Sequence, residues 1–245
     1  MKPNTPTSIK DRLVVALDVP DRASALRLIE RLGGLVGMYK VGLQLYTAEG
    51  PQFVREIVAA GERVFLDLKF HDIPNTVTGA TRSAARLGVS ITDVHCLGGF
   101  EMMHAATLGF SDTDIIWITR PAVLAVTVLT SMDQASLNEV GITADVESEV
   151  VRLAKLAYDA GLDGVVASPQ EINLIRERVA AEPFIILTPG IRPAWSESGD
   201  QKRVATPEKA IRDGADFIVI GRAITASPDP RAAAERVIEE INASL

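Results

Sequence analysis

Cysteine occurs once in the 245 residues, at Cys96. A lone thiol excludes an internal disulfide framework and suits a reducing compartment, so a cytoplasmic location is expected. No apolar run approaches the ~20 residues that cross a bilayer, and no membrane span is expected. The opening MKPNTPTSIKDR holds no apolar stretch of the secretory kind, and residues 1–11 read as a flexible tail. Runs of Lys and Arg are missing and the formal net charge is −7, which argues against nucleic-acid and anionic-membrane surfaces but leaves room for a local cationic pocket for phosphate. No Pro/Gly/Ser-rich linker divides the chain, so residues 1–245 read as one domain. His71, His95 and His104 fall in no metal-ligand spacing and have no Cys partners, so no metal is expected, and Cys96 reads as a packed small residue.

What is present is a βα rhythm. Short β-branched runs such as RLVVALDV (12–19) and FIVIG (217–221) alternate with stretches of helical period, for example Ala25, Leu28, Ile29 and Leu32. The joins AAGERVFLDL, RLGVSITDVH, DAGLDGVVAS and RDGADFIVIG each pass from a helix end through Gly into an apolar strand, as a left-handed glycine cap requires. Strands are expected near 13–18, 37–43, 63–68, 91–95, 122–129, 164–167, 184–188 and 216–220, most of them continuous apolar runs of the kind that parallel sheets cover on both faces. Eight such strands match a TIM (β/α)8 barrel, typically ~250 residues. The fingerprint GxGxxG is absent after the first strand, which counts against an open dinucleotide-binding sheet. The stripe Val150, Leu153, Ala154 and Ala157 reads as a helix face turned to the barrel.

In such a barrel the chemistry sits where strands end and βα loops begin. Asp18, Lys40, the pair Asp67 and Lys69, the pair Thr130 and Ser131, and the segments TPGIR and IGRAI all fall at those ends. Side chains at i and i+2 of a strand share a face, so Asp67 and Lys69 project together, with Asp72 directly after and Lys40 on the neighbouring strand. An isolated surface ion pair would be worth only ~0–1 kcal/mol. Here the pair closes an apolar segment, and an alternating Lys–Asp–Lys–Asp array would hold Lys69 as ammonium: a poor Schiff-base nucleophile and a well-placed proton donor. Across the rim, LTPGIR and VIGRAI each set a glycine before an arginine, where TIM barrels often hold phosphate, and the polar stretch between them carries Gln201.

DLKFHDIPNTV, with LTSM (129–132), TPGIR (188–192) and IGRAI (220–224), resembles the orotidine 5′-phosphate decarboxylase family over nearly the whole chain. The resemblance implies a cofactor-free decarboxylation of orotidine 5′-phosphate to uridine 5′-phosphate in de novo pyrimidine biosynthesis. It makes Lys69 the proton donor to the pyrimidine carbon that loses CO₂, places Asp67 beside the departing carboxylate, and completes the array with Lys40 and Asp72. Asp18 and Lys40 would meet ribose hydroxyls, Thr130 and Ser131 the base, and Gln201, Gly221 and Arg222 the phosphate, with Arg192 also in contact with substrate. Asp72 and Thr76 would reach the neighbouring subunit's site, which implies a homodimer. Two alternatives remain at this point: a metal-dependent sugar-phosphate decarboxylase or aldolase of the same superfamily, and an inactive nucleotide-binding barrel.

Overall fold

A computed structural model describes residues 5–110, 120–179, 183–196 and 203–243. Eight parallel strands, β1 (Leu13–Ala16), β2 (Met38–Gly42), β3 (Val64–Phe70), β4 (Ile91–His95), β5 (Ala122–Val126), β6 (Gly164–Val166), β7 (Ile185–Thr188) and β8 (Phe217–Ile220), pair in sequence order, and β8 returns to β1 to close a TIM barrel. The largest departures from expectation are at strand ends. β3 runs on to Phe70, because Phe70 pairs with Val94, and so takes in Lys69. β5 stops at Val126, and residues 127–129 enter the loop above it.

The helices are α1 (Arg22–Leu32), α2 (Leu43–Ala59), α3 (Pro74–Arg86), α4 (Gly99–Leu108), α5 (Gln134–Glu139), α6 (Val146–Asp159), α7 (Ile172–Arg178), α8 (Pro207–Arg212), α9 (Arg222–Thr225) and α10 (Pro230–Asn242). Side-chain caps start several of them: Asp21, Asp145 and Thr206 accept backbone N–H groups of Ser24, Ser148 and Lys209, which would otherwise be unpaired at a helix start. The four glycine joins have positive φ, from 81° at Gly88 to 107° at Gly214, as helix-ending left-handed caps.

Alternation along the strands separates two apolar layers. Val14, Met38, Phe65, Ile91, Leu124 and Phe217 fill the barrel interior, while Val15, Tyr39, Leu66, Val123 and Ile218 pack outward against the helices. On α6, Val150, Leu153, Ala154 and Ala157 are all buried, as their spacing predicts. Among the described residues no helix is long and apolar enough to cross a membrane. Within the stretch expected as a tail, Thr7 donates to Asp11 and Lys10–Arg12 form a short 3-10 turn.

Candidate active site

The interior layer ends in charge at one rim. Reading upward on the inward face, β1 passes from Ala16 to Asp18, β2 from Met38 to Lys40, and β3 from Phe65 to Asp67 and Lys69. These side chains floor one side of a pocket of about 520 Å³, whose walls are apolar residues of β5 to β8, among them Val126, Val166, Leu187 and Val219. Thr130, Arg192, Gly221 and Arg222 line the same pocket. One cavity therefore holds a charged cluster on one side and two arginines on another.

The cluster alternates in sign. Lys40 Nζ lies 3.0 Å from Asp18 Oδ1 and 3.2 Å from Asp67 Oδ2, and Lys69 Nζ donates to Asp67 Oδ1. Burial alone would pull the Lys40 pKa down, but the charges of Asp67 and Asp18 outweigh it and leave the ammonium favoured beyond its ordinary range. Burial pushes the Asp67 carboxyl up, and the Lys40 and Lys69 charges overcome that and hold it below the usual carboxylate value. Both ends of the Lys40–Asp67 pair thus stay charged.

Lys69 owes its place to an irregular strand. Leu66 pairs with Thr92 and Phe70 with Val94, so Asp67, Leu68 and Lys69 stand opposite Asp93 alone. The extra length is absorbed at Lys69, whose φ of 52° is the one positive value at a non-glycine among the described residues. A left-handed lysine costs about 1–3 kcal/mol and persists only where its surroundings enforce it. Asp93, a buried acid on β4, accepts the Lys69 N–H at 2.8 Å. Sequence reading passes over Asp93; its signal is an acid at the centre of ITDVH, a segment expected to form a strand of the barrel wall.

The remaining expected residues divide. Asp72 and Thr76 lie in the exposed stretch 71–76, with Asp72 Oδ1 accepting the Ile73 N–H at 2.6 Å. Among the described residues the ion pairs of Lys40 and Lys69 run to Asp18 and Asp67, so Asp72 does not close the array within its own chain. Thr130 is half-buried at the pocket edge and Ser131 is exposed beside it. Arg192 follows β7, its backbone N–H donating to Ala205 O at 2.9 Å, and Gly221 and Arg222 open α9 after β8. Gln201 lies outside the described residues. A second feature missing from the sequence reading is Arg203, buried against Glu171 and donating to Leu129 O at 3.1 Å, which ties the segment after β7 to the β5 loop. Among the described residues no three His, Cys, Asp or Glu side chains converge as a metal-holding group.

The sequence profile described as Orotidine 5'-phosphate decarboxylase / HUMPS family matches residues 11–237. The chain belongs to that family. A relative from Moorella thermoacetica named orotidine 5'-phosphate decarboxylase is 54% identical over 95% of this chain and 92% of its own. One of the same name from Geobacter sulfurreducens is 53% identical over 96% and 97% of the two chains. The crystal structure of orotidine 5'-phosphate decarboxylase from Lactobacillus acidophilus superposes with a TM-score of 0.83 at 37% identity, covering 94% of this chain and 98% of that one. Family membership fits the barrel, and the match takes in β1 to β8 and the whole charged cluster.

Proposed function

We propose that this chain decarboxylates orotidine 5′-phosphate to uridine 5′-phosphate, a step of pyrimidine nucleotide formation, with Lys69 as proton donor and no cofactor. The observation that carries the reading is the Asp18–Lys40–Asp67–Lys69 cluster facing a pocket that also reaches Arg192 and Arg222, in a chain about half identical to relatives of that name. The phosphate belongs with Gly221, Arg222 and Arg192, after the strands where TIM barrels commonly bind it, and with Gln201. Asp18 and Lys40 meet the ribose, and Thr130 with Ser131 meets the base. The reacting carbon then faces Lys69.

Chemistry follows from charge placement. The bond from the ring carbon to the carboxylate breaks, CO₂ leaves, and the electron pair stays on the carbon. A fixed ammonium, held by its ion pair with Asp67, stabilises that electron pair as it forms. Lys69 Nζ then gives up a proton to the carbon, becomes a neutral amine and regains its proton from solvent. Asp67, held ionised by its two lysines, sits beside the departing carboxylate. Binding of the distant phosphate helps hold the reacting end in place. The carboxylates a divalent cation would need are already paired with ammonium groups, which supports chemistry without a metal.

The site is completed by a second copy. Exposed Asp72 and Thr76 supply the partner's site, and exposed apolar residues stand at the same end of the barrel: Ile73, 67% exposed, after β3, Leu43 after β2, and Leu97 and Phe100 after β4. A homodimer covering that rim is the expected assembly, and the single buried cysteine suits the cytoplasm. An ultraviolet assay with orotidine 5′-phosphate, with and without EDTA, tests the reading. Equal turnover in both is expected. Activity lost in EDTA and restored by Mg²⁺ would instead identify a metal-dependent sugar-phosphate lyase, and binding without turnover an inactive barrel.

A further inference from the structure

One buried acid beneath the pocket has no part in the mechanism above. Asp93 is 1% exposed on the inward face of β4 and does not line the cavity. It stands alone opposite the β3 bulge, and its Oδ1 takes the Lys69 N–H that a regular ladder would have given to a β4 carbonyl. Its other oxygen, Oδ2, is equally buried, and no donor among the described residues reaches it. The charged groups facing Asp93 are Asp67 and Lys69 of β3; on the other side its β5 pairing partner is the apolar Leu124.

An ionised carboxylate there would leave one oxygen bare in an apolar interior next to a second anion, an arrangement buried charges avoid. A protonated one resolves both problems, because Oδ2–H can donate to the Asp67 carboxylate. The pocket cluster is then balanced, Asp18 and Asp67 against Lys40 and Lys69. We propose that Asp93 is the positioning residue for Lys69: a neutral buried acid that accepts the Lys69 N–H at Oδ1 and donates from Oδ2 to Asp67. One group thereby fixes both the strained backbone that aims the lysine and the carboxylate that pairs with it. Burial, followed by the Asp67 charge, pushes the Asp93 carboxyl well above the usual range, in keeping with this state.

The inference rests on Lys69 being the proton donor, and its test separates the two claims. Asp93→Leu removes both hydrogen bonds at similar volume and is expected to lower kcat by about 100-fold with a smaller change in KM, as misplacement of a reacting group does. Asp93→Asn keeps an acceptor and a donor without charge and is expected to recover most of that loss. Infrared spectroscopy supplies an arm that needs neither turnover nor the leucine variant to fold: the difference between wild type and Asp93→Asn at neutral pH should contain a protonated-carboxyl C=O band. An Asp93→Asn enzyme as impaired as Asp93→Leu, a folded Asp93→Leu enzyme with wild-type kcat, or absence of that band would each overturn the proposal. If instead Lys69→Ala stays active while the band is present, it is the proton-donor reading that fails.

Discussion

At the scale of single residues, the site turns on two buried acids of neighbouring strands. Asp67 and Asp93 face each other with opposite shifts, one held low by lysines and the other raised by burial. Their consequences for stability have opposite signs. Asp67, depressed on folding, stabilises above the ordinary carboxylate pKa and loses that contribution as pH falls through its folded value. Asp93, raised on folding, keeps a proton that the unfolded chain releases, so its contribution is full below the unfolded value and declines as pH rises. Asp93→Asn removes only the second effect. Its Tm relative to wild type should climb between pH about 4, the unperturbed carboxylate value, and pH 7; a flat or falling difference would show Asp93 to be ionised in the folded protein. Asp67 and Lys69 were legible in sequence because i and i+2 share a strand face. Asp93 was not, because its importance comes from a register shift between two strands distant in sequence, which no local pattern encodes.

Elements place those residues, and most of their positions could be read from the chain. Apolar runs and glycine joins located all eight strands, since each run must be buried on both faces and each helix must end before it. Strand ends were less legible. β3 runs past its expected end because pairing with Val94 resumes at Phe70, beyond the bulge, and the intervening Lys69 gives no sign of it. The β2 end carries a testable detail: a Cβ added at Gly42 would sit 2.9 Å from Lys40 Nζ and 3.6 Å from Asp18 Oδ1. Gly42 has φ −96°, a conformation open to any residue, so the conflict is with the ammonium. Gly42→Ala should therefore leave Tm nearly unchanged, since a flexible side-chain end can move, yet lower kcat/KM by about tenfold through displaced Lys40. A large fall in Tm with full activity would mean that the glycine serves the backbone.

For the whole molecule, the barrel brings β1, β2 and β3 to one side of the pocket and the loops after β7 and β8 to another, and leaves Leu43, Ile73, Leu97 and Phe100 exposed on the rim after β2, β3 and β4. That rim is where the proposed dimer forms. Spacing alone never indicated it, because a site shared between chains leaves no mark on one chain's periodicity. If Asp72 serves the partner, Asp72→Ala and Lys69→Ala chains, each inactive alone, should regain activity when unfolded and refolded together. In the mixed dimer the Asp72→Ala chain keeps its own Lys69 and receives Asp72 from the Lys69→Ala chain, so one site is whole. No recovery, in a mixture shown by mass spectrometry of differently tagged chains to contain the heterodimer, would mean that each site is built from one chain.

The most direct test of the account is turnover of orotidine 5′-phosphate by Lys69→Ala beside wild type, with uridine 5′-phosphate binding and circular dichroism confirming an intact pocket and fold. The expected result is retained nucleotide binding with kcat reduced at least about 100-fold, the scale of a lost general acid. A variant that keeps even a tenth of the wild-type kcat, with binding intact, would contradict Lys69 as the proton donor.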